Sequence, residues 1–67
     1  MTTADDLHAN RDRLGDLLAK RLTARGMVGN VQATATGFVF TEEVGPDDRV
    51  IDFPWWCEDV QELGQQL

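Results

Sequence analysis

The chain has no serine, no tyrosine, a single cysteine and a single lysine. Each scarcity removes a class of function. Without serine there is no serine nucleophile. One cysteine cannot form an intramolecular disulfide, which fits a reducing compartment such as the cytoplasm. No apolar run approaches the roughly 20 residues of a membrane-spanning helix. The opening "MTTADDLHAN" lacks both a basic n-region and an apolar h-region, so a secretory leader is not expected. The chain reads as soluble and cytoplasmic.

Metal and cofactor chemistry is equally thin. Zinc sites use about four Cys, His or carboxylate ligands at paired spacings, and none occurs here. Glu42, Glu43, Asp47, Asp48 and Asp52 form an acidic run, but it does not match the EF-hand loop. It reads as a solvated hairpin tip. "GMVG" follows a helical segment instead of opening one, so it lacks the context of a phosphate-cradling loop. Cys57 and His8 are the only thiol–imidazole pair, and no third orienting group marks them. Cys57 reads as a small apolar residue near the core, and His8 as a surface residue. The chain is therefore read as non-enzymatic, with no metal and no cofactor.

With 67 residues there is room for one small domain, which buries only about 60% of its unfolded surface. The net charge is −6 and is unevenly spread. Residues 1–36 hold four acids and five bases, a net of +1. Residues 37–67 hold eight acids against Arg49 alone, a net of −7. Such a half repels nucleic-acid phosphates and attracts basic protein surfaces. Arg11, Lys20, Arg21 and Arg25 could line one helix face. Asp12 and Asp16 interleave with them, so direct nucleic-acid binding is not expected. That face reads as solvated and laced with ion pairs.

Residues 4–25 predict one amphipathic helix. Leu7, Leu14, Leu18 and Leu22 follow 3.6-residue spacing, with Leu17 widening the stripe. Thr3 or Asp5 suits the N-cap and Gly26 the C-cap. Gly15, unfavourable in mid-helix, marks close packing. Residues 30–44 are rich in β-branched and aromatic side chains and predict strand. Their alternation changes phase, with Val31, Ala33 and Ala35 on one face and Phe38 and Phe40 on the other. Gly37 stands at the change, so a bulge or turn belongs there. "VGPDDR" is a turn, and residues 49–53 predict a strand pairing back on "FVFTEEV". Pro54 suits the first turn of a second helix over 54–65. The order is α-β-β(-β)-α: a single α+β domain over residues 1–67, with an antiparallel hairpin sheet packed against two amphipathic helices.

"DFPWWCEDV" is the most informative stretch. In a helix starting at Pro54, Trp56, Val60, Leu63 and Leu67 share the core stripe. Trp55 then lies about 100° away beside Asp59, Glu62 and Gln66. In an extended segment the two indoles point to opposite faces. Either geometry forbids equal burial, and the helical register predicts Trp55 at the rim. A rim tryptophan either closes the gap between sheet and helix or anchors a partner.

Two functions fit these features. The first is a small acidic protein-interaction module that binds and modulates a larger protein with a basic surface. Inhibitors and nucleic-acid mimics of the phage-encoded or antitoxin-like kind share this size and charge, an analogy from size and charge alone. The partner-binding candidates are Trp55, Glu42, Glu43, Asp47, Asp48, Glu58, Asp59 and Glu62. The second is a structural or accessory subunit of a homo-oligomer or larger assembly.

Overall fold

The computed structural model describes residues 3–67. The domain is α+β, with the helices on one face of a three-stranded antiparallel sheet. The elements are α1 (Ala4–Ala9), α2 (Arg11–Ala24), β1 (Gly29–Thr34), β2 (Gly37–Glu42), β3 (Arg49–Pro54) and α3 (Glu58–Gly64). The strands lie in chain order, so every sheet connection is a hairpin.

The expected N-terminal helix is two helices broken at Asn10. Thr3 caps the first, its hydroxyl accepting from the Asp6 amide at 3.3 Å. At the break, Asn10 Nδ2 donates to the Asp6 carbonyl at 2.9 Å, and Arg11 donates to the His8 carbonyl at 3.0 Å. The Asp6 carbonyl also keeps its helical bond from the Asn10 amide at 3.2 Å, so these side chains reinforce the end of α1. The stripe survives the break. Leu7, Leu14, Leu18 and Leu22 are all fully buried, with Leu17 packed at their margin. Helix α2 ends at the C-cap Arg25, and Gly26 follows with φ +83°.

Gly37 makes a full turn, which settles the phase change seen in the sequence. β1 and β2 are joined by Ala35 and Thr36 alone, because Thr34 is already opposite Gly37. No non-glycine residue among those described has positive φ, so the unusual backbone falls on Gly37 at φ +151°. The turn brings Val31 opposite Phe40 and Ala33 opposite Phe38. Residues that a straight strand would have separated therefore share the core face. β3 completes that face, with Phe53 opposite Phe38 and Ile51 opposite Phe40.

The core is built from Leu7, Leu14, Leu18, Leu22, Phe38, Phe40, Phe53, Trp55, Val60 and Leu63. Gly15 lies against Phe38, and a Cβ there would stand 3.4 Å from the ring. That is an ordinary van der Waals distance, so the expected close packing does not demand a glycine there. The opposite face of the sheet carries Asn30, Gln32, Thr34, Val39, Thr41, Val50 and Asp52, and no helix covers it. Val50 on that face is 62% exposed.

The second helix starts later than expected. Pro54 is the last residue of β3, and α3 begins only at Glu58, with Cys57 as its N-cap. Leu67, expected on the core stripe, is exposed. Among the described residues no helix is long and apolar enough to cross a membrane.

Candidate interaction surface

The late start of α3 reverses the two tryptophans. Strand alternation continues past Phe53: Phe53 faces the core, Pro54 the bare face, and Trp55 the core again. Trp55 is 8% exposed, whereas Trp56 is 81% exposed. The rim position expected for Trp55 belongs to Trp56, and the core position expected for Trp56 belongs to Trp55. The helical register failed because proline suits the end of an edge strand as well as the first turn of a helix. A signal for the correct register was present: Ile51, Phe53 and Trp55 form a period-2 apolar series.

Trp55 ties four segments together. Its amide donates to the Thr36 carbonyl at 3.0 Å, and its indole Nε1 to the Ala35 carbonyl at 3.2 Å. Its ring meets Phe38 edge-on at 5.2 Å and His8 edge-on at 5.9 Å. Its carbonyl accepts from Gln61 Nε2 at 2.7 Å. The polar end of the indole is satisfied and its apolar body buried, as a core tryptophan requires. This is the gap-closing role, not the anchor.

Asp59, half-buried, and Glu62, exposed, both reach from α3 toward α2. Asp59 pairs with Arg21 at 3.0 Å and Arg25 at 2.7 Å, and Glu62 pairs with Arg21 at 3.0 Å. These contacts join α3 to α2. The hydrogen bond from Arg25, then that from Arg21, lowers the Asp59 pKa against the opposing effect of partial burial. The ion-paired character expected of the helix face is met here, but by carboxylates from another helix.

The remaining carboxylates of residues 37–67 fall toward two ends of the sheet. Glu42, Glu43, Asp47 and Asp48 lie at the β2–β3 hairpin, where Glu42 contacts Arg49 at 3.3 Å. Asp52 and Glu58 lie toward the other end, near Trp56 in the chain. Asp52 lies three residues along β3 from the Glu42–Arg49 pair, about 10 Å along the strand. Glu43, Asp47, Asp48, Asp52 and Glu58 are exposed, with no ion-pair or hydrogen-bond partner among the described residues. The expected acidic surface is thus three arrangements: an internal clamp, a hairpin tip, and a pair of carboxylates flanking the tryptophan segment.

Trp56 stands over a groove of about 530 Å³ on the bare sheet face. Val39, Pro54 and Gly37 supply apolar lining, Thr34 and Thr36 supply hydroxyls, and Asp52 is its only charged residue. Val39 and Asp52 are cross-strand partners, which fixes their proximity. Here an exposed aromatic, an apolar lining and a carboxylate without a partner among the described residues meet.

The thiol and imidazole singled out in the sequence lie apart. His8 packs on Trp55, Cys57 occupies the N-cap position of α3, and no hydrogen bond joins them among the described residues. No group of three or more His, Cys, Asp or Glu side chains suited to a metal ion occurs among the described residues. Comparison with protein-family models, curated proteins and solved structures found no match.

Proposed function

We propose that the protein is a non-enzymatic interaction module that docks onto a basic surface of a larger protein, with Trp56 as its anchor. The observation that carries this reading is the exposed indole on an uncovered sheet face. A tryptophan offers 150–250 Å² to bury, worth roughly 4–6 kcal/mol at about 25 cal/mol per Å². That gross gain is on the scale of a binding hot spot. Association itself costs roughly 4–15 kcal/mol, so one indole cannot hold a complex alone. Contacts from Val39, Val50, Asp52 and Glu58 supply the rest.

Charge selects the partner. The chain carries −6, and its partnerless carboxylates flank Trp56 and crowd the far hairpin tip. The tip lies beyond a Debye length of about 8 Å from Trp56, so it steers approach without strengthening the anchor contact. Modulation of the partner, as an inhibitor or a nucleic-acid mimic would exert it, follows from covering a basic surface.

The test compares wild-type protein with Trp56→Ala and with Asp52→Asn/Glu58→Gln as immobilised baits against lysate of the source cells. One retained protein should be lost with Trp56→Ala, weakened in the charge variant, and released by salt. Equal retention by all three baits overturns the reading. A second reading, a subunit of a homo-oligomer, is favoured by the β1 edge, whose six residues carry no charge to discourage strand pairing. Sedimentation over a concentration series separates the two: a dimer that survives Trp56→Ala supports pairing through the edge.

A further inference from the structure

We infer that the groove beneath Trp56 is a seat for one arginine side chain of the partner. The inference rests on the docking reading above and names the contact that would give it specificity. Three properties of the groove point to a guanidinium. The first is the indole. A planar cation stacks on a tryptophan face, and Trp56 presents that face to solvent. The second is Asp52, the only charge in the lining, with no partner among the described residues. A carboxylate accepts two parallel N–H bonds from a guanidinium, a geometry an ammonium does not match. The third is the lining between them. Val39, Pro54 and Gly37 give apolar contact for the three-carbon stem, and Thr34 and Thr36 give acceptor oxygens for remaining N–H groups.

The other grooves and clusters do not combine these features. Trp56 also borders a second groove, with Ala4, Ala35, Pro54 and Trp55, but that lining has no charged residue to pair with a cation. The groove between α2 and β1 holds Arg11 with Asp12 and Asp16, so it carries its own counter-charge, and it has no exposed aromatic. Asp59 and Glu62 already hold Arg21 and Arg25. In the groove of Trp56, Val39 and Asp52 a carboxylate without a partner among the described residues lies beside an exposed aromatic.

Two tryptophans give two indole N–H resonances, so the site can be read directly by ¹⁵N-resolved NMR. The probes are hexa-arginine, hexa-lysine and hexa-citrulline peptides at low ionic strength. The first two carry equal charge, and the third keeps the arginine shape without charge. Hexa-arginine should shift the Trp56 indole and the Asp52 amide while leaving the Trp55 indole in place. It should bind about two- to fivefold more tightly than hexa-lysine, and Asp52→Asn should remove a similar factor. Hexa-citrulline should have no effect. Equal binding of hexa-arginine and hexa-lysine, or indifference to Asp52→Asn, overturns the arginine seat and leaves the basic-surface reading intact. No response of the Trp56 indole to either cationic peptide overturns both. Trp56 and Asp52 are solvent-exposed, so their variants should fold as the wild type does.

Discussion

The indole Nε1 of Trp55 donates to the Ala35 carbonyl, twenty residues earlier in the chain, at 3.2 Å. With the Trp55 amide bonded to Thr36, this fastens the end of β3 to the β1–β2 turn. The core tryptophan is therefore a cross-link between hairpins as well as a filler of space. Its neighbour makes no such bond among the described residues.

This asymmetry predicts opposite costs for two adjacent substitutions. Trp55→Ala should destabilise by about 3–5 kcal/mol, the usual range for a buried aromatic truncation. Trp56→Ala should stay within about 0.5 kcal/mol. Urea titrations of the two variants measure both. In Trp56→Phe the remaining fluorescence should be blue-shifted and poorly quenched by acrylamide. In Trp55→Phe it should be red-shifted and readily quenched. The reverse pattern would mean that the tryptophans are exchanged.

Much of this architecture was readable in the sequence, and the misreadings have specific causes. The leucine spacing located the helical face, Gly37 located the turn, and "VGPDDR" located the second hairpin. The break at Asn10 was missed because Leu7 and Leu14 keep helical spacing across it. The signal was a gap, since Asn10 and Arg11 occupy the positions between them where a further apolar residue would fall. The Trp55–Trp56 orientation was missed because Pro54 was read as a helix start. The pairing of Asp59 and Glu62 with Arg21 and Arg25 was not legible, because it depends on how α3 crosses α2. Relations of that kind are set by packing and leave no periodicity in the chain.

Two glycines should respond to alanine with opposite signs. At Gly15 a methyl would sit 3.4 Å from the Phe38 ring, an ordinary contact. Helix propensity then dominates, and Gly15→Ala should stabilise by up to about 1 kcal/mol. At Gly37 a methyl would run into the backbone of Phe53 and Pro54, at a φ that side chains avoid. Gly37→Ala should cost about 1–3 kcal/mol or more. Thermal melts suffice to read the two signs.

The Asp59 clamp sets a pH dependence. Its folded pKa lies below the ordinary carboxylate value, because Arg25 and Arg21 stabilise the charged form. The contribution is therefore complete at neutral pH and lost as acid protonates Asp59 at and below pH 3.8. The groups are partly solvated, so the effect is small, about 1 kcal/mol. Asp59→Asn should destabilise by that amount at pH 7 and converge with wild type in strong acid. A constant difference across the range would place the effect elsewhere than in the ion pairs.

Helix α3 starts without a side-chain cap. Cys57 has the extended backbone of an N-cap residue, yet its side chain accepts no bond from the first turn. Serine is nearly isosteric and supplies an acceptor oxygen. Cys57→Ser should raise stability by about 0.5–1 kcal/mol, as capping exchanges generally do. A chemical-denaturation midpoint lower than wild type would show that the thiol's packing matters more than the missing bond.

The pleat of β3 makes chain length between Phe53 and Trp55 a parity variable. One residue inserted there would send Trp55 outward and Trp56 inward, exchanging cross-link and anchor in a single step. Two residues would restore the sides. One residue inserted after Trp56, before α3, would leave both indoles where they are. The segment should therefore accept length changes after Trp56 and only even changes before Trp55.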